Sequence, residues 1–202
     1  MAIELNDMIF IHMPKTGGTY IENILSRQCN GKNICEKHDP YFVVKEKTST
    51  SKKYFTFIRH PLSLVCSVWG HWKHANCRDS QNSKPKNNWE SKNNWSHWHE
   101  CINEDDLNDT VQRCANYHSN FLETFFNSYT KDAWLIGRQE NLQQDLSQIL
   151  KGYNVIHKDK INKHSLYPLN IQSKTVENFM NKYKKLLIKY NYEYIPKNIK
   201  AI

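Results

Sequence analysis

Residues 8–13 form a short apolar run that ends at Pro14, and Lys15-Thr16-Gly17-Gly18-Thr19 follows before an amphipathic stretch carrying Tyr20, Ile21, Ile24 and Leu25. An apolar run of this length, a glycine-bearing loop and apolar positions at helical spacing read as strand, loop, helix. A strand that feeds a helix this way commits the chain to return beside its own sheet, so the junction narrows the accessible folds sharply. The unit recurs. Tyr54-Phe55-Thr56-Phe57-Ile58 breaks at Arg59-His60-Pro61 and continues as Leu62, Val65, Val68 and Trp69, with proline at a position that suits a first helical turn. A third unit runs from Ala133-Trp134-Leu135-Ile136 through Gly137 to Leu142, Leu146, Ile149 and Leu150, and Tyr153-Asn154-Val155-Ile156 is the next apolar run.

Alternating strands and helices predict an α/β chain with a central parallel sheet flanked by helices. Helices around Val111 to Phe126 and Val176 to Tyr190 are expected to cover that sheet, their aromatic stripes serving as core. The 202 residues fit one domain, 1–202, large enough to bury roughly 70% of the surface its unfolded form exposes. Residues 76–104 interrupt the pattern with a polar, turn-rich stretch that nevertheless carries Trp89, Trp95 and Trp98. That stretch is expected to be an insertion or lid, or a platform for a second substrate, since tryptophans are costly to leave in water.

No apolar run approaches the about 18 to 20 residues that cross a bilayer, and the N-terminus shows no signal-peptide pattern. The expectation is a soluble, cytoplasmic chain with no membrane span. Six cysteines without a CxxC pair suggest reduced thiols rather than a disulfide scaffold. The net charge of +8 implies attraction to anions without choosing among them.

Two segments could hold anions. At Pro14–Thr19 the glycines let backbone N–H groups close around an anion at the positive end of a helix, and Lys15 adds a mobile charge. The lysine precedes the glycines, so this is not the GxxxxGK[ST] loop of kinases and ATPases. The second segment is Arg59-His60-Pro61 with Ser67 after it, nearly two turns into the helix if that helix begins at Pro61.

In this order and context the two segments resemble the PAPS-dependent sulfotransferase superfamily, PAPS being 3′-phosphoadenosine 5′-phosphosulfate. The likeness extends to Gly137-Arg138-Gln139-Glu140-Asn141-Leu142 with Asp145, to His164-Ser165 and to the closing Tyr190-Asn191-Tyr192, which resemble the branch holding carbohydrate sulfotransferases and their bacterial and viral relatives. Gln139 stands where relatives often carry an aromatic residue. The resemblance implies a P-loop-like sulfotransferase fold and transfer of a sulfuryl group from PAPS to a hydroxyl or amine of an acceptor, a glycan being one candidate.

The resemblance also implies roles. The loop of Lys15, Thr16, Gly17, Gly18 and Thr19 would hold the 5′-phosphosulfate, with Lys15 meeting the charge that grows on the bridging oxygen, and Arg59 and Ser67 would hold the 3′-phosphate. A hydroxyl acceptor needs a base, and His38 is the only histidine between the two segments. Asp39 or Glu36 could orient its imidazole or raise its pKa; Glu36 and then Glu22 are the alternative bases. Lys158, Lys160 and Lys163 are further candidates for the 3′-phosphate or the adenosine.

Rival readings are a non-catalytic binder of a nucleotide or polyanion on the same fold, and a nucleotide kinase, which the missing loop signature and the lack of an acidic magnesium ligand at a strand end disfavour. No nucleic-acid partner is expected. His71, His74 and Cys77, with His97, His99 and Cys101, have spacings that could ligate one structural zinc, but the plainer reading is helix-surface histidines and two free or disulfide-paired cysteines with no metal.

Overall fold

The computed structural model describes residues 2–48, 51–79, 96–156 and 169–202, the side chains at 74–79 and at 96 excepted. In chain order the elements begin with β1 (Ala2–Glu4), β2 (Met8–Ile11), α1 (Gly18–Gln28), β3 (Lys32–Asn33), α2 (Tyr41–Thr48) and β4 (Lys53–Ile58). Then come α3 (Pro61–Asp79), α4 (Ser96–Cys101), α5 (Leu107–Asn116), α6 (Phe121–Thr130) and β5 (Leu135–Arg138). A 3₁₀ turn at Gln139–Asn141 leads into α7 (Leu142–Ile149), followed by β6 (Leu169–Ile171), α8 (Ser173–Lys182), α9 (Lys184–Lys189) and β7 (Ile199–Ala201). The chain divides into two compact units, one of Met1–Arg59 and Phe125–His164, the other of His60–Thr124 and Ser165–Ile202.

The first unit holds a five-stranded sheet in the order β3-β1-β2-β4-β5. The three strands read from the sequence, β2, β4 and β5, are parallel to one another, as strands joined by helical crossovers must be. The sheet is nevertheless mixed: Ala2–Glu4 turns back through Leu5, whose N–H donates to the Met8 carbonyl, and pairs antiparallel with β2 and β3. All four residues of β2 and five of the six in β4 are buried, which is why both runs are continuously apolar rather than alternating.

α1 lays Ile21, Ile24 and Leu25 against Phe10, Phe55 and Phe57, and α7 adds Leu142, Leu146 and Ile149 to the same core. Each such buried side chain stabilises the fold by about 1.5–3 kcal/mol. β5 approaches β4 so closely that a Cβ at Gly137 would overlap the ring of Phe57, its partner in register. Tyr153–Ile156 is not a strand. The side-chain amide of Gln28 takes both polar groups of Ile156, accepting from its N–H at 2.8 Å and donating to its carbonyl at 3.0 Å, the places a neighbouring strand would fill.

In the second unit α5 starts at Asp106, whose carboxylate accepts from the Asp109 N–H at 3.0 Å, and it packs on α8. The helix expected over Val111 to Phe126 is two helices, α5 and α6, parted at Tyr117–Asn120, and that over Val176 to Tyr190 is likewise α8 and α9, parted at Tyr183. Tyr183 donates its hydroxyl to the Cys114 carbonyl at 2.9 Å, so a tertiary bond sits at that break. Strands β6 and β7 pair parallel in a small second sheet. Of the expected insertion, residues 80–95 lie outside the described residues, Trp89 and Trp95 among them. Trp98 is fully buried on α4, edge-on to Phe121 with ring centroids 5.2 Å apart.

Candidate active site

The loop between β2 and α1 is set by backbone conformation. Lys15 has φ 63° and Gly17 φ 85°, both left-handed, and Thr16 donates its hydroxyl to the Met13 carbonyl at 2.7 Å. Glycine takes that region without penalty, whereas Lys15 is held there at a cost of order 1–3 kcal/mol by its surroundings. Gly17 is also the N-cap of α1, and it contributes no side-chain cap. The amides of the first turn therefore meet the loop with the helix dipole behind them, a setting that favours an anion. Gln139 and Leu142 flank Gly17 on its other side.

The sequence-predicted cations converge on this loop. An Arg59 Nη1 donates to the Lys15 carbonyl over a long 3.4 Å. Lys15 is pushed below its ordinary lysine value, first by burial and then by the neighbouring charges of Arg59 and Lys37. The half-buried amine and the guanidinium beside it repel one another, the exposed Lys37 adds a third positive charge, and an anion there would relieve that repulsion. Lys37, exposed on the loop before α2, is a member of the cluster that sequence reasoning left without a role.

His38 lies next to the same loop, also with a left-handed backbone at φ 68°. Its ring is oriented by the chain itself: Nδ1–H donates to the carbonyl of His12 at 3.2 Å, which leaves Nε2 as the basic nitrogen. The expectation that Asp39 or Glu36 orients the ring or raises its pKa is corrected here. The Asp39 carboxylate is taken up by the Glu36 N–H at 3.1 Å and by Lys47 at 2.8 Å. The pKa of His38 goes down, to about 2, chiefly through burial and then through the charge of His12, against which the bond to the His12 carbonyl works in part. The hydroxyl of Tyr129 donates to the His38 carbonyl at 2.8 Å and holds the loop from α6.

His12, just after β2, falls within what the sequence reads as an apolar run. It is buried, its Nδ1 lies 2.5 Å from Oε1 of Glu22 on α1, and its ring meets that of His38 edge-on at 4.4 Å between centroids. A polar residue closing a run of buried apolar ones was the only sequence signal. Its partner ten residues on cannot be found without the packing of α1 on the sheet.

Other motifs acquire partners too. The Arg138 N–H donates to Asp145 at 2.7 Å, closing the strand-to-helix turn over Gly137–Leu142. In the second unit the helix expected after Arg59 does begin at Pro61. His60 Nδ1 accepts from the Leu62 N–H at 3.1 Å, so Nε2–H donates to the carbonyls of Tyr192 at 3.1 Å and Tyr194 at 2.8 Å. The Arg-His-Pro and Tyr-Asn-Tyr motifs are thereby tied through one imidazole. Ser67 is half-buried on α3, nearly two turns from its start, and belongs to this second unit.

Glu36 is exposed. Lys158, Lys160, Lys163, His164 and Ser165 lie outside the described residues, as do the side chains of His74 and Cys77. Of the other zinc candidates, His97 lies 2.8 Å from the Tyr117 hydroxyl, His99 faces Trp72 edge-on and Cys101 is buried. Among the described residues no three His, Cys, Asp or Glu side chains converge as metal ligands, and no helix is long and apolar enough to cross a membrane.

A model of the sulfotransferase family matches residues 3–194. No curated protein and no solved structure matches the chain.

Proposed function

The chain belongs to the sulfotransferase family, and on that premise we propose that it moves a sulfuryl group from PAPS to a hydroxyl or amine of an acceptor, a glycan being the class tested first. The observation that carries this reading is the left-handed glycine loop at the start of α1 with Lys15 and Arg59 beside it, a setting that favours an anion beside an imidazole whose basic nitrogen is selected by the backbone.

In the proposed mechanism the amides of Thr16, Gly17, Gly18 and Thr19 hold the 5′-phosphate, and Arg59 holds the 3′-phosphate. His38 Nε2 accepts the proton of the acceptor hydroxyl as its oxygen bonds to sulfur, and the bond from sulfur to the bridging phosphate oxygen breaks. Lys15 meets the negative charge left on that oxygen. The product nucleotide departs as 3′-phosphoadenosine 5′-phosphate. Stabilisation is greatest where charge develops, which is the reason for a preset amine and preset amides rather than a flexible clamp.

Incubation with sulfur-labelled PAPS and a panel of glycans, tyrosyl peptides and small phenols or amines tests the reading. Expected is labelled product on at least one acceptor, with stoichiometric release of the bisphosphate. Tight bisphosphate binding with no transfer to any acceptor would instead mark a non-catalytic binder.

A further inference from the structure

A carboxylate and two imidazoles are packed together behind the glycine loop, and the mechanism above uses only one of the imidazoles. His12 and Glu22 are both buried, and the 2.5 Å separation of Nδ1 and Oε1 makes theirs a short hydrogen bond. Burial pulls the His12 pKa down more strongly than Glu22, by bond and by charge, pulls it up. Burial pushes Glu22 up, but the bond and charge of His12 together with Lys37 outweigh it, and the net direction is down. The two directions agree: a neutral imidazole donates Nδ1–H to an ionised carboxylate. The tautomer and the ring plane of His12 are therefore fixed.

The fixed ring touches both halves of the site. One edge lies over Gly18, so closely that a Cβ there would overlap it. The ring also meets the His38 imidazole at 4.4 Å with an interplanar angle of 64°, while the His12 carbonyl accepts from His38 Nδ1–H. One residue thus contacts the first residue of α1, where the loop amides are presented, and both the ring and the tautomer-setting nitrogen of the proposed base.

We propose that His12 is a positioning residue of the transfer site, which, pinned by Glu22, sets the His38 imidazole relative to the glycine loop at Gly18. The proposal rests on the sulfotransferase reading for its consequence in catalysis, but not for its geometry. A carboxylate that orients an imidazole is a familiar device. Here the oriented imidazole serves as a wedge between the donor loop and a second imidazole, and misplacement of a reacting group by about 1 Å costs on the order of 10²-fold in rate.

The test uses the full chain and the variants His12→Asn and Glu22→Gln. Nitrogen-15 NMR of the histidine rings reads the geometry with no acceptor present. In the parent, His12 is expected as the Nδ1–H tautomer with a strongly downfield Nδ1 proton, and His38 as a single Nδ1–H tautomer. Glu22→Gln should move the His12 proton upfield. His12→Asn keeps the backbone carbonyl that accepts from His38 Nδ1–H, so His38 should keep its tautomer while its ring resonances shift and it titrates closer to an ordinary imidazole, with the charge of Lys37 on its own loop still acting on it and Tyr129 of α6 still bound to its carbonyl.

Turnover of labelled PAPS on the best acceptor of the panel should fall on the order of 10²-fold in kcat for His12→Asn, with the donor KM and bisphosphate binding changed less than about threefold. The proposal is overturned if the His38 ring keeps both its resonances and its titration in His12→Asn, or if the downfield proton persists in Glu22→Gln. It is also overturned if kcat is unchanged in a variant whose His38 has moved. If the His12→Asn protein does not fold, Glu22→Gln carries the same test through the His12 proton and kcat. A parent that neither binds the bisphosphate nor transfers sulfuryl groups would remove the functional reading, while the ring spectra would still decide the geometry.

Discussion

His38 Nδ1–H donates to the carbonyl of His12 at 3.2 Å, so the tautomer of the proposed base is chosen by a backbone group 26 residues away in the chain. With Nδ1 occupied, Nε2 is the nitrogen that can take a proton. His38→Ala should therefore abolish transfer to a hydroxyl, by at least the about 10² to 10⁴-fold that general-base catalysis supplies, and leave bisphosphate binding intact. Turnover at saturating PAPS and a binding isotherm check both halves, and unchanged turnover, or its loss in Glu36→Gln instead, would transfer the role to Glu36.

The pH profile follows from the same ring. An unperturbed imidazole loses its proton around 6.5, but in His38 burial and the charge of His12 lower that value to about 2. The base is then neutral throughout the range from about pH 5 to about pH 8, and kcat should show no rising limb from His38 there. A limb centred near 6.5 in the parent that disappears in His38→Gln would show that the His38 pKa is not lowered in the enzyme at work.

Stability carries the matching signature. The folded pKa values of His12 and His38 lie below the unfolded value of 6.5, so the unfolded chain binds the extra protons as pH falls. The stability is complete above 6.5 and is lost progressively as pH drops from there toward about 2. Urea midpoints measured at about pH 7 and about pH 5 should differ more in the parent than in His38→Gln, and equal differences would show that His38 titrates alike in both states.

Lys15 is expected to act on charge that grows during transfer. Lys15→Ala should lower kcat by about 10² to 10³-fold, the loss typical of removing one preset electrostatic group, while bisphosphate affinity falls far less. Parallel losses in kcat and in affinity would mean that Lys15 is only a binding residue.

Binding of 3′-phosphoadenosine 5′-phosphate should raise the melting temperature, since a ligand at 100 times its Kd adds about 2.7 kcal/mol to the folded state. Arg59→Ala should reduce that gain. ATP should stabilise less than the bisphosphate, and equal stabilisation by the two would count against a dedicated 3′-phosphate site.

Gly18→Ala tests the close approach at the helix start. Alanine is otherwise the better helix former by about 1 kcal/mol, but a Cβ here would overlap the His12 ring. The substitution should destabilise the chain by about 1–3 kcal/mol through overpacking, and combination with His12→Ala should remove most of that cost. Strict additivity of the two changes in denaturant melts would show that the ring and the glycine do not meet.

What the sequence by itself determined is what depends on neighbours in the chain. Gly17 takes its left-handed φ and Pro61 opens its helix by virtue of their own covalent structure, and the continuous apolar runs of β2 and β4 mark buried strands wherever they occur. The α/β class, the glycine loop and the place of Arg59 before a helix were legible for that reason. Tertiary structure decided the rest. Tyr153–Ile156 has the apolar pattern of a strand, yet the Gln28 amide occupies the Ile156 backbone groups instead. Trp98 sits in a polar stretch and is buried all the same, because Phe121, distant in sequence, packs against it. The environment of His38 was misread from its acidic neighbours in the chain. Asp39 is drawn to Lys47 and to the Glu36 N–H, and the orientation of the ring comes from β2 through His12, itself fixed by Glu22 on α1. Hydrogen bonds and burial are set by which atoms meet in space, and a residue's neighbours in sequence leave that open.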